Sequence, residues 1–178
     1  MVVVVVVRRC AQVIVSCLAL AALLACSTIP TAGAPGEVVR DEVGPTKRPI
    51  YRVSSMVVLL QRRGQPYPPY AADLRVVPKG EDRARLGLIM VTPQQSFSSC
   101  GELFLHAGEA QLPIRGIEYA STLSHDGYLE GWWIDVDVSS VAKMAAATDA
   151  GGAFCGVDWR FDKEQNATLR KWVAAVTE

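Results

Sequence analysis

Ser140 and Lys143 stand three residues apart, a spacing at which one helical turn brings a lysine amine beside a serine hydroxyl and can activate it as a nucleophile. The companion SDN and KTG segments of that chemistry are absent from the chain. Ser140 also falls where a helix cap belongs and Lys143 where a solvated side chain belongs, so the pair reads as structural. Ser124, His125 and Asp126 collect the residue types of a catalytic triad, but consecutive side chains diverge and cannot align as nucleophile, base and orienter. Followed by Gly127, they read as a turn. A zinc site would need both histidines, His106 and His125, together with carboxylates such as Glu102 or Glu109. Asp135 and Asp137 share a strand face about 6.5–7 Å apart along the chain, a spacing open to paired-carboxylate chemistry or to simple solvation of that face. No GxSxG, HExxH, Walker or GxGxxG segment occurs. The residues therefore assign no catalytic group, no metal site and no cofactor.

The elements that position these residues follow from hydrophobic periodicity. The segment from Ile50, IYRVSSMVVLLQ, is β-prone; Pro66, Pro68 and Pro69 then exclude both helix and central strand. Tyr67 and Tyr70 beside them could form a local binding surface or pack that loop onto the domain. LRVVP and LGLIMVT read as strands, and two more are expected on either side of Gly108-Glu109, the second bulged at Gly116. In EGWWIDVDV, Trp132, Ile134, Val136 and Val138 fall on one face and Trp133, Asp135 and Asp137 on the other. Ser139 or Ser140 can cap a short helix that ends at Gly151-Gly152, and AFCGVDWRF alternates as a further strand. Asp162 and Gln165 make a capping box for a last helix with the apolar stripe Leu169, Trp172, Val173 and Val176. The expected fold class is α+β: a mostly antiparallel sheet with a short helix and a C-terminal helix packed on it, in one domain over residues 50–178.

Composition narrows the class further. Half of the residues are hydrophobic, which excludes a disordered chain, and Lys+Arg 18 balances Asp+Glu 18, which offers no nucleic-acid surface. Apolar mass is concentrated near the N-terminus. Arg8 and Arg9 precede an apolar stretch from Ala11 to Ala25 that would span about 22 Å as a helix, short of a hydrocarbon core of about 30 Å and suited to a signal peptide. The stretch Leu23-Leu24-Ala25-Cys26 resembles the lipobox of bacterial lipoproteins, a resemblance confined to the first 27 or so residues. It implies that residues 1–25 are a signal peptide and that Cys26 receives a diacylglyceryl group and becomes the acylated first residue. Two or more acyl chains anchor a protein stably where one does not. Ser27 implies outer-membrane sorting, facing the periplasm, in a Gram-negative cell. Residues 26–49, rich in Gly, Pro, Thr and charge, then read as the lipidated Cys and a flexible tether, with the alternative that Glu37 to Val43 docks as a strand.

Compartment sorts the five cysteines. Cys10 and Cys17 belong to the signal segment and Cys26 to the anchor, leaving Cys100 and Cys155 in an exported chain, where disulfides persist. A bridge between them is expected, tying the loop before Glu102 to the inward face of the Phe154–Phe161 strand, and by chain entropy it would be worth about 4 kcal/mol.

Trp133 on the polar face, with Tyr128 and Asp135, is the candidate recognition surface, since an exposed Trp is a common binding anchor; partial burial at a sheet edge is the other reading. Two function classes follow: a non-catalytic, lipid-anchored envelope protein that binds a partner protein or envelope polymer or supports an assembly, or a small envelope hydrolase without a recognisable signature.

Overall fold

The computed structural model describes residues 34–43, 48–62, 70–98 and 101–178. The expected signal segment, Cys26, most of the expected tether, Tyr67 with its prolines, and Cys100 lie outside them. The described residues form an α+β fold: a curled, half-barrel antiparallel sheet with two helices. The strands are β1 Val38–Val43, β2 Arg48–Arg62, β3 Tyr70–Pro78, β4 Arg83–Thr92, β5 Leu103–Ala107, β6 Ala110–Leu112, β7 Gly116–Ser124, β8 Gly127–Asp137, β9 Ala150–Phe154 and β10 Val157–Arg160. The helices are α1 Val138–Ala146 and α2 Lys163–Thr177. Across the sheet the order is β6-β5-β9-β10-β2-β3-β4-β8-β7, with β1 also on β2.

Strand β2 is the centre of this order. Fifteen residues, about 50 Å long, it pairs with β3 along one edge. Its other edge is divided: β1 covers Arg48–Val53, and β10 meets only Gln61 and Arg62. The interval is filled by other groups. Ser54 N donates to Glu37 O (2.8 Å), Gly36 N to Ser55 O (2.8 Å), and the side-chain amide of Gln165 in α2 to Val57 O (2.7 Å). The pairing of β2 with β3 shifts by one residue between Val53 and Met56, a bulge at Ser54-Ser55. The extra residue lets Val53 and Met56, three apart, both face inward, so Val53, Met56, Val58 and Leu60 all enter the core. Buried Ser54 is the working part of the bulge: its hydroxyl accepts from Glu37 N (3.0 Å) and donates to Ala34 O.

One hydrophobic cluster unites the inner face of the sheet with both helices. Alternation along β8 places Trp132, Ile134 and Val136 inside, as expected. Trp132 contacts Phe154 and Tyr119 at ring-centroid separations of 5.7 and 4.9 Å, and Phe154 contacts Phe97 (5.2 Å) and Trp159 (5.7 Å). Trp172 joins the same cluster from α2 and donates its indole N–H to Tyr51 O (2.7 Å). The capping box of α2 forms as expected: Gln165 N donates to Asp162 Oδ1 (2.8 Å), and Asp162 N to Gln165 Oε1 (2.9 Å). The stripe divides by depth, with Leu169 and Trp172 fully buried and Val173 and Val176 at its margin.

Five local expectations are corrected. Residues 38–43, grouped with the tether, follow instead the alternative of a docked strand and form β1, because Val38 and Val39 can be half-buried once the β2 edge offers a ladder. Helix α1 begins at Val138 with Asp137 as N-cap, and neither Ser139 nor Ser140 caps it; the Asp137 carboxylate makes no cap bond because it is turned to Arg115. Gly151 and Gly152 do not end that helix but belong to β9. No register shift occurs within β7, which begins at Gly116; there Gly116 pairs with Asp135 and Arg115 N also donates to Asp135 O (2.8 Å), so the irregularity expected at Gly116 sits at the start of the strand and not inside it. The AFCGVDWRF segment is a hairpin, not one strand. Cys155 and Gly156, at φ 49° and 73°, are its two-residue turn, a primed-type turn whose right-handed twist suits the flanking strands.

That turn also alters the cysteine expectation. Cys155 sits at the hairpin tip and not on an inward strand face. It is the one cysteine among the described residues, and its expected partner, Cys100, lies outside them. The backbone ladders of β9 with β10 and β5 hold this part of the sheet.

Trp132 and Trp133 provide a direct test of strand phase. Trp132→Ala should cost about 3–5 kcal/mol through the cavity it leaves, and Trp133→Ala distinctly less. Urea unfolding of both variants under one protocol measures the pair, and a larger loss at Trp133 would reverse the assignment of faces.

Candidate functional site

The outward face of the sheet collects the polar candidates in registered rows. Arg85 of β4 lies opposite Asp135 of β8, and Gly87 opposite Trp133. A Cβ at Gly87 would fall 2.4 Å from Cζ3 of Trp133, so the indole lies flat over the glycine and is half-buried there. Arg85 grips Asp135 with two bonds, Nε to Oδ1 (2.7 Å) and Nη2 to Oδ2 (3.2 Å), while Lys79 Nζ also donates to Oδ2. The second terminal nitrogen of Arg85 reaches Glu118 of β7 (3.3 Å). Arg115 forms a separate fork on Asp137, its Nη2 at 2.7 Å from Oδ2. The Arg85 hydrogen bond holds the Asp135 carboxyl below the ordinary aspartate range against the opposing effect of burial, and Arg115 does the same for Asp137. Two carboxylates both held ionised by their own cations are the reverse of an acid–base pair, in which one must keep its proton.

Beyond Trp133 the same face turns apolar. Val57 and Leu59 of β2, Val91 of β4 and Leu129 of β8 all project outward and are exposed, with Val91 and Leu129 directly opposed. Trp133 therefore stands between an ion-paired end and an aliphatic end. Tyr128, grouped with Trp133 and Asp135 on sequence grounds, lies on the other face. Its separation from Trp133 is odd, and the β4–β8 ladder runs from Tyr128 to Asp137 without a register shift.

The remaining sequence candidates stay apart. Ser140 is buried and Lys143 exposed, so the hydroxyl and amine look in different directions. Ser124 ends β7, and His125 and Asp126 form the exposed turn into β8. His106 lies in β5, between Gln111 and Gly151 in register. Among the described residues no group of three or more His, Cys, Asp or Glu is arranged to hold a metal ion.

Sequence reasoning missed Glu130, the most unusual charge in the structure. It is fully buried on the inner face of β8, two residues before Trp132. Its carboxylate accepts four hydrogen bonds: Oε1 from Tyr119 OH (2.7 Å) and Phe97 N (3.0 Å), Oε2 from Ser96 N (3.1 Å) and Thr92 Oγ1. Burial pushes this carboxyl up, but the two hydroxyls and two backbone amides together outweigh it and leave its pKa below the ordinary glutamate value. The ladder thus pins the loop after β4 and seats Phe97 in the core against Tyr70 and Phe154. With every donor directed at it and solvent excluded, this carboxylate is a structural acceptor. The signal was present in strand parity: Glu130 has the same parity as Trp132, and a lone acid on an apolar face requires donors.

Comparison with family models, curated proteins and solved structures finds no match for this chain.

Glu130 makes a titration prediction. Its pKa is lower folded than unfolded, so its contribution to stability is complete above the ordinary glutamate pKa and is lost as pH falls through the folded value. Glu130→Gln should destabilise the protein at neutral pH by about 1–3 kcal/mol, because either orientation of the amide leaves a backbone N–H of Ser96 or Phe97 facing an N–H₂ group. The variant should also lose less stability on acidification than the wild type. Urea midpoints from pH 7 to pH 3 measure both effects, and parallel curves would refute the assignment.

Proposed function

We propose that this chain is a lipid-anchored envelope protein whose folded domain acts as a non-catalytic binding or assembly module. One observation carries the binding part. The outward sheet face presents Val57, Leu59, Val91 and Leu129 to solvent beside Trp133, while the clustered titratable groups of that face are engaged in ion pairs. An exposed aliphatic area bordered by an aromatic ring and fixed charges suits protein or polymer contact better than bond-breaking chemistry. The anchoring part rests on the lipobox resemblance of Leu23–Cys26. Since β1 starts at Val38, the segment between Cys26 and the folded domain is shorter than composition suggests. Residues 27–33 could reach at most about 25 Å when extended, which would keep the domain close to the lipid surface.

Metabolic labelling with a radioactive fatty acid tests the anchor. The wild type should carry label and Cys26→Ser should carry none, accumulating as uncleaved precursor or soluble protein. Equal labelling of the two would defeat the proposal.

A further inference from the structure

Strand β7 closes one end of the sheet and pairs with β8 alone among the described residues. It is a poorly protected edge. Its nine residues include no proline, no lysine and a single charge, Glu118, and its pairing with β8 has no bulge. The opposite end of the sheet is β6, only three residues long and followed by Pro113. Two aliphatic side chains on β7 also lack cover: Ile117 is 45% exposed and Leu123 73% exposed.

The direction of the free backbone groups follows from the hairpin. Ser124 and Gly127 close a two-residue turn, so Ser124, Thr122, Ala120, Glu118 and Gly116 bond to β8. Arg115 N on Asp135 O (2.8 Å) agrees, since it shows the Asp135 carbonyl directed toward this side of β8. Ile117, Tyr119, Ser121 and Leu123 therefore point their N–H and C=O groups away from the sheet.

We infer that β7 is the dimer edge of this protein, pairing antiparallel with β7 of a second copy across a two-fold axis at Ala120. In that register Ile117 opposes Leu123 of the second copy, Tyr119 opposes Ser121, and the reciprocal pairs repeat on the other side of the axis. All four pairs are of the hydrogen-bonding kind, so every outward backbone group of these residues finds a partner. The same shift brings the exposed Ile117 and Leu123 together twice and sets Glu118 against Thr122, avoiding a like-charge clash. At each end it brings Arg115 of one copy to the His125-Asp126 turn of the other, a cation to a turn bearing an acid. A second copy is favoured over an unrelated strand because this one alignment satisfies backbone, aliphatic and charge demands with the sequence of β7 itself. The inference does not depend on lipidation of Cys26.

Cross-linking and sedimentation of the full chain in detergent test it. Ala120 would face its own copy in a non-hydrogen-bonded pair, with Cα atoms about 4.5 Å apart and within disulfide reach. Ala120→Cys should give an interchain disulfide under mild oxidation that wild type lacks, whereas Thr122→Cys, opposite Glu118, should not link to itself. Leu123→Lys alters a side chain that is open in the single copy and should weaken dimerisation at least about tenfold while circular dichroism stays unchanged. Ser121→Pro removes one outward N–H without touching the β8 ladder and should act likewise. A wild type that sediments as a monomer at all concentrations would overturn the inference. So would a dimer that survives both Leu123→Lys and Ser121→Pro, or self-linkage at Thr122→Cys in place of Ala120→Cys.

Discussion

The divided edge of β2 has more backbone to satisfy than its two strand partners supply. β1 ends its pairing at Val53 and β10 reaches only Gln61 and Arg62, so the carbonyls and amides between them would face an incomplete neighbour. Leaving such groups unpaired is expensive wherever water is excluded. The fold answers with a bulge, a buried serine, the residues just before β1 and one glutamine side chain from α2. Each has a second duty. The bulge keeps Val53 and Met56 both inside, and Gln165 also completes the capping box of its own helix. The sheet can therefore continue from β10 through β2 to β3 as one surface, on which the core and the outward face both rest.

Charge is handled in two ways on the two faces of β8. Outside, Asp135 and Asp137 meet arginines in forked contacts that remain near solvent, an arrangement that contributes modestly to stability and gives that end of the sheet a fixed polar pattern. Inside, Glu130 has no cation among its hydrogen-bond donors. Its charge is spread over two hydroxyls and two backbone amides. An isolated buried carboxylate would be prohibitive, whereas one with four donors locks the loop that delivers Phe97 to the core.

Much of the architecture was legible in periodicity. The phase of β8, the α2 stripe and the Asp162–Gln165 capping box could be read because each depends on side chains close in sequence. Strand β3 begins at Tyr70, directly after the last of the three prolines. What could not be read depended on distant partners. β1 is a strand because β2 has an edge to offer, and its six residues, half of them charged, carry no strong signal of their own. The Cys155-Gly156 turn lacks the usual asparagine or aspartate and so passed for part of a strand. Of the candidate surface, Trp133 and Asp135 share a face as alternation required. Tyr128 was misplaced against that same alternation, and Glu130 went unnoticed because the apolar face was counted only from Trp132 onward.

The bonds that α2 makes across the fold carry a consequence for synthesis. Gln165 reaches Val57, Trp172 reaches Tyr51, and Thr168 reaches Gly36 across 132 positions of chain. The groups that finish the centre of the sheet are thus made well after those they complete. A nascent chain can pair β3, β4, β8 and β7 early, but it holds one side of β2 open until α2 has been made. Closure of the sheet is therefore a long-range event, and the middle of β2 stays unfinished until α2 docks against it.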